Sequence, residues 1–283
     1  EIDLVLFYNL VNPFIYKIHI FMEKNDRNWK QFFIDKYTSS NSRIFSRSND
    51  FKNMIELINH KIQIVLTSGE RLRFDMAIDY SYQHIHKKLG EKNKLDGVII
   101  KDIIVLSNVD IIFDSSINLS TNVREGEVFA LLRWEMDDID DVVKQLALRD
   151  GDHKIGLDSK FDSMDICVNK IANTDIGSKY NSATMKCIDK LKKTLRLRMD
   201  QQDVWIFHSN LFEKIDNISL FNFALGRPRC DNRVAMALTE EGILVRNPAF
   251  EISTLHIQKT KRRKYTNDDQ VPGALKYVPI DFL

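Results

Sequence analysis

Apolar residues fall along this chain in short β-branched runs separated by stretches of helical spacing. Asp3-Leu-Val-Leu-Phe-Tyr8 predicts a first strand ending at polar Asn9, and Asn12-Pro13 marks a turn. Lys17-Ile-His-Ile-Phe-Met22 alternates and predicts a second strand. Trp29, Phe32 and Phe33 fit a helix within 25–36, and the Ser-, Asn- and Arg-rich stretch 38–50 reads as a loop. Phe51 to His60 places Met54, Ile55 and Ile58 on one side of a helix, and Lys61 to Leu66 reads as a strand. Phe74 to Leu89 predicts a helix with Phe74, Ala77, Ile78 and Ile85 apolar. Gly97 to Ile100 and Ile103 to Leu106 are strand-like. The second is apolar on both faces and is expected inside a sheet; it leads through Ser107-Asn-Val-Asp110 to Ile111-Ile-Phe113. Val128 to Trp134, Val204 to Phe207, Leu244-Val245 and Ile252 to Ile257 are further strands. Asp231 to Gly242 has the acidic start, the one-sided Val234, Ala237 and Leu238, and the glycine stop of a helix. Acidic 137–162 and the stretch 166–200, with its basic end, read as exposed loops and helix. This alternation predicts an α/β fold, with a mostly parallel central sheet flanked by helices, in one domain spanning 1–283.

Composition narrows the function classes. The chain has 283 residues, 43% of them hydrophobic and 29% charged, which suits a folded globular protein. Lys and Arg total 41 and Asp and Glu 40, a net charge of +1, so no broad electrostatic footprint for nucleic acid is expected. Cys167, Cys187 and Cys230 lack Cys-x-x-Cys spacing, which argues against a cysteine zinc site and suggests a reducing compartment. Ile2 to Met22 is apolar but broken by Asn9, Asn12, Pro13, Lys17 and His19. It predicts neither a membrane span nor a signal core, so a soluble, cytoplasmic protein without a transmembrane segment is expected.

Four constellations carry candidate chemistry. Ser107-Asn-Val-Asp-Ile-Ile-Phe-Asp114 ends an apolar strand, where ligands gather in α/β sheets. Asp110 there either holds a divalent cation against phosphates or caps a turn. Gly226-Arg-Pro-Arg-Cys-Asp-Asn-Arg233 delivers Asp231 to a helix start, as a functional carboxylate or as an N-cap. His256 ends a strand before a run containing Lys261 and Arg262; it is a neutral imidazole ligand or a structural histidine. Asp203 and Trp205, in Gln201-Gln-Asp-Val-Trp-Ile-Phe207, either face a sugar or belong to an ordinary strand. There is no Gly-x-Ser-x-Gly elbow, no phosphate-binding Gly-x-x-x-x-Gly-Lys loop, no Gly-x-Gly-x-x-Gly and no His-Glu-x-x-His.

Taken in order, Asn9, Arg71 and Asp75, Asn108-x-Asp110, Cys230-Asp-Asn-Arg233 and His256 resemble the succession in nucleotide-sugar glycosyltransferases of the GT-A fold. The strings Asn9-Leu-Val-Asn-Pro-Phe-Ile15, Ser107 to Asp114, Leu132-Arg-Trp134 and Gln202 to Phe207 are similar to a glycosyltransferase-like group of bacteria and large DNA viruses, including chlorovirus enzymes, one of which adds xylose to a capsid glycan. The resemblance implies a UDP-sugar donor such as UDP-xylose, a glycan acceptor and an inverting transfer in viral or surface glycan synthesis. It divides the domain into a nucleotide-binding half, 1–135, and an acceptor-binding half with the tail, 136–283. It implies Asn9, Arg71, Asp75, Asn108, Lys261 and Arg262 around the nucleotide and diphosphate, and Asp110 and His256 holding Mn²⁺ or Mg²⁺. It places Asp203, Trp205, Arg133 and Trp134 at the donor sugar or acceptor, and makes Asp231 the general base. Asn108 stands where many such enzymes carry the first Asp of an Asp-x-Asp motif. The alternatives are a carbohydrate-binding protein on a degenerate GT-A scaffold, which Asn108 favours, and a sugar nucleotidyltransferase.

Overall fold

The strand Gln202–His208 (β7) is buried at all seven positions and organises the main sheet. The structure is a computed structural model and describes residues 2–23, 31, 51–67, 69–88, 102–136, 201–257, 266–281 and 283. The expected helix in 25–36 apart from residue 31, the loop at 38–50, the strand at 97–100, the exposed stretches 137–162 and 166–200, and Lys261 and Arg262 lie outside these residues.

Strands Ile103–Ser107 (β3), Glu127–Leu132 (β5) and Leu244–Arg246 (β8) join β7 in the order β3-β7-β5-β8. β7 runs antiparallel to both β3 and β5, and β5 is parallel to β8. Three of these four strands therefore point the same way, with the reversed β7 interleaved. The outcome is a mixed sheet rather than a mostly parallel one. Two smaller sheets accompany it. Ile18–Met22 (β1) and Ile62–Leu66 (β2) pair in parallel. Ile111–Phe113 (β4), Thr254–Ile257 (β9) and Trp134–Met136 (β6) pair in the order β4-β9-β6. The predicted strand at 128–134 is broken at Arg133, where the chain passes from the four-stranded to the three-stranded sheet.

Alternation along β7 and β5 sorts their side chains onto two covered faces. Trp205, Phe207, Val128 and Ala130 pack with Phe74, Ala77 and Ile78 of helix Phe74–Ser81 (α3) and with Val234, Ala235 and Leu238 of helix Cys230–Glu240 (α4). Val204, Ile206, Phe129 and Leu131 pack on the other face with Ile111, Phe113 and Ile252. Full burial of each such aliphatic or phenyl side chain contributes about 1.5–3 kcal/mol. β3, expected in the interior, is the outer strand of the four-stranded sheet among the described residues, and only Leu106 of its residues is buried.

The predicted first strand is instead helix Ile2–Val11 (α1). Leu6 and Leu10, one turn apart, pack with Ile58 of helix Phe51–Lys61 (α2) and with Ile62. Lys61 Nζ donates to the carbonyls of Leu10 and Asn12 at 3.0 Å, satisfying the helix end with a cation where the dipole favours one. α3 continues past Ser81 into a π-helical turn at Tyr82–His86, and α4 stops at Gly242, whose φ of 74° suits glycine. No helix among the described residues is long and apolar enough to cross a membrane.

Candidate functional site

Because β3, β5 and β8 share a direction, their C-terminal ends lie along one edge of the sheet, beside the start of β7. That edge carries Asn108, Arg133 and Asn247 just past the strand ends, and Asp203 at the start of β7. α4 is joined to β8 by the tight turn 241–243, with Ile243 N bonded to Leu238 O at 2.9 Å, so it doubles back on β8. The start of α4, with Asp231, returns to the same edge.

Asp110 and His256 meet there. The register Ile111↔His256 sets the end of the 108–110 turn against β9. His256 Nε2 lies 3.1 Å from Asp110 Oδ2, with the imidazole fully buried and the Asp110 side chain 19% exposed. Two ligands of one octahedral cation at about 2.1 Å stand about 3 Å apart. At 3.1 Å the two groups are within hydrogen-bonding distance of each other, and they are the residues here that could hold a cation. No cluster of three or more His, Cys, Asp or Glu suited to a metal occurs among the described residues.

Asp203 lies beside this pair. Its Oδ1 accepts from Asn108 Nδ2 at 3.0 Å and its Oδ2 takes the Arg133 guanidinium, with both charged side chains largely buried. Asp203 and Arg133 thus pair with each other inside the site.

Asp231 is not the N-cap. Arg229 holds that position with φ 70°, a left-handed conformation costing a non-glycine residue about 1–2 kcal/mol. The tail supports the turn: Arg227 Nε donates to Asp269 O at 2.9 Å and Val271 N to Pro228 O at 3.0 Å. Asp231 is the acidic residue of the first helical turn, where the dipole favours its ionised form. The buried Cys230 thiol donates to Asp231 Oδ1 at 3.3 Å. Burial first, and then the negative charges of Asp231 and Asp203, push this thiol well above its ordinary pKa, so it stays a donor at neutral pH. Spacing in the sequence gave no reason to single out Cys230; its place directly before Asp231 was the one available signal.

The remaining predicted residues divide. Arg71 reaches this region, its Nη2 lying 3.5 Å from Gly226 O, because 71–73 lines up with 224–226 through Leu225 N to Leu72 O and the Arg73–Ala224 bridge. Asp75, in the first turn of α3, pairs with Arg73 Nε at 3.0 Å and accepts from Met76 N at 2.9 Å. Trp205 is 3% exposed and meets Phe74 edge-on, because alternation along β7 turns it onto the helix-covered face. Trp134 opens β6 opposite Leu255, and its side chain lies outside the described set.

Asn9 supports the site from behind. Its Nδ2 donates to Ile111 O at 2.8 Å and its Oδ1 accepts from Phe113 N at 3.0 Å, so the side-chain amide clasps β4 just past Asp110. Asn9→Asp removes the donor and sets a carboxylate against a carbonyl. It is expected to cost about 1–3 kcal/mol in a urea melt, with a normal melt speaking against the clasp.

Comparison of the chain with models of known protein families, with curated proteins and with solved structures finds no match.

Proposed function

We propose that the chain is a GT-A-type glycosyltransferase that moves a sugar from a UDP-sugar to a glycan hydroxyl with inversion. The observation that carries this reading is the meeting of Asp110 and His256, 146 residues apart in sequence, on the strand edge to which α4 also returns Asp231. A carboxylate–imidazole pair suits a cation that bridges phosphates, and a carboxylate in the first turn of a helix suits a base.

In this reading Asp231 takes the proton of the acceptor hydroxyl. The acceptor oxygen forms its bond to the anomeric carbon on the face opposite the diphosphate, and the bond from that carbon to the diphosphate oxygen breaks. UDP leaves with the electron pair. Asp110 and His256 would hold the divalent cation, which when bound offsets the charge of the diphosphate. Arg71 adds positive charge beside Gly226, and Lys261 and Arg262, assigned to the same diphosphate, lie outside the described residues.

The test is a thermal-shift screen of nucleotide sugars with and without MnCl₂. A donor at a hundredfold excess over Kd stabilises the native state by about 2.7 kcal/mol. The expected result is a UDP-sugar shift that grows with Mn²⁺ and loses its Mn²⁺-dependent part in Asp110→Asn. A donor shift that persists in EDTA and ignores Asp110→Asn overturns the cation site. No shift with any nucleotide sugar overturns the reading as a whole.

A further inference from the structure

Residue 108 faces a carboxylate. The register Ser107↔Val204 brings Asn108 across from Asp203, and their main chains meet through Asn108 N to Asp203 O at 3.4 Å. The side chains meet as well, Asn108 Nδ2 donating to Asp203 Oδ1 at 3.0 Å. The other carboxylate oxygen takes the guanidinium of Arg133, with side chains only 8% and 13% exposed. Arg133 marks the break between β5 and β6, and its own backbone N donates to Gln201 O at 3.4 Å. Asp203 therefore ties together the end of β3, the start of β7 and the crossing from one sheet to the other.

We infer that Asp203 is a positioning residue that requires an amide at 108 and fixes the 108–110 turn so that Asp110 meets His256. A carboxylate at 108 would place two like charges about 3 Å apart in a largely buried setting, where both cannot comfortably ionise. The amide supplies the NH₂ that Asp203 accepts. Anchoring that nitrogen also sets the direction of the amide oxygen, which sits on the opposite branch of the same planar group. Asn108 is then a matched partner of Asp203, and its departure from an Asp-x-Asp pattern is no sign of a degenerate site. The inference rests on the proposed function only in treating Asp110 and His256 as working residues.

The experiment is a double-mutant cycle of Asn108→Asp and Asp203→Asn, read by thermal melting and by the imidazole ¹⁵N resonances of His256. Neither readout needs a substrate. Asn108→Asp is expected to lower Tm by on the order of 5 °C, and to move the His256 resonances toward those of Asp110→Asn. The double variant, in which the amide at 203 donates to the carboxylate at 108, is expected to regain more than half of both changes. Additive losses of Tm, or His256 resonances unmoved by Asn108→Asp, overturn the inference. Should Asn108→Asp fail to fold, recovery of folding in the double variant is the rescue. Should neither fold, Asn108→Ser, which keeps a donor for Asp203, must exceed Asn108→Ala in Tm and keep the native His256 signal; equality overturns the inference. A coupled cycle in a chain that binds no nucleotide sugar overturns the proposed function and leaves the positioning role. An additive cycle in a chain that binds one does the reverse.

Discussion

On the proposed function, an Asp231→Asn chain is expected to fold, to bind donor with unchanged affinity and to transfer sugar about 10²–10⁴-fold more slowly, the usual loss when a general base is removed. The substitution is nearly isosteric. Its amide oxygen can still accept from the Cys230 thiol, which now lies 3.3 Å from Asp231 Oδ1. The N-cap is Arg229, so no capping side chain is lost, and helix Cys230–Glu240 keeps its packing through Val234, Ala235 and Leu238. What disappears is the negative charge at the helix N-terminus, whose stabilising effect is about 0.3–1 kcal/mol at such a position. That bounds the change in folding and leaves the proton acceptor as the main loss. UDP release, measured in matched donor-saturated reactions, gives the rate, and NMR of the product gives the anomeric configuration. If Asp231 served only the helix dipole, turnover would be nearly normal with a small fall in Tm. Wild-type turnover in this variant, or a product that keeps the donor's configuration, removes Asp231 from the reaction.

The parts of this fold that were legible in the sequence are those set by local pattern. The apolar runs at 103–106, 111–113 and 204–207 are strands, and the acidic start and glycine stop of the 231–242 segment bracket a helix at Cys230–Glu240. Three features that depend on partners were not legible. Asp3 to Tyr8 is apolar at nearly every position, and such a run carries no period to separate strand from helix. The outcome follows from Leu6 and Leu10 reaching Ile58 and Ile62 on one side, while Asn9 and Asn12 bond to the backbone around β4 on another. β3 is apolar on both faces, which reports that both faces are covered; it says nothing about whether both edges are paired, and β3 is the outer strand of its sheet among the described residues. The direction of β7 has no local signature either, and its reversal makes the sheet mixed. The site behaves alike. Asp110 and His256 stand out as residue types at strand ends, and the 3.1 Å between them comes from the β4–β9 register. Asp203 was marked as a polar residue beside an aromatic one, and its pairing with Arg133 and Asn108 is visible only once three strand ends are side by side.

Trp205→Ala is expected to destabilise the chain by about 3–5 kcal/mol, the range for deleting a large aromatic from a packed core. That corresponds to a fall in Tm on the order of 10 °C. The folded fraction should keep its KM for donor and acceptor. Trp205 is 3% exposed in the middle of β7, a strand with no exposed residue. Its ring meets Phe74 edge-on, with centroids 5.7 Å apart and planes at 78°, and Phe74 stacks on Phe221 at 5.6 Å. Pairs of this kind add about 0.5–1.5 kcal/mol beyond the burial itself. Removing the indole therefore opens a cavity that Phe74, locked on its other side, cannot collapse to fill. Trp205→Phe keeps the edge contact and much of the volume, and should recover most of the stability. An aromatic platform for a sugar would behave in the opposite way: Trp205→Ala would melt near the wild-type temperature while KM rose. Melting curves of the two variants beside their KM values separate a core residue from a platform, and a raised KM at normal stability would return Trp205 to the sugar site. The alternation of β7 argues for the core, since Trp205 shares its face with Phe207 and is covered there by α3 and α4. Asp203 stands two residues nearer the start of β7, where the register with β5 shifts and the strand leaves the core.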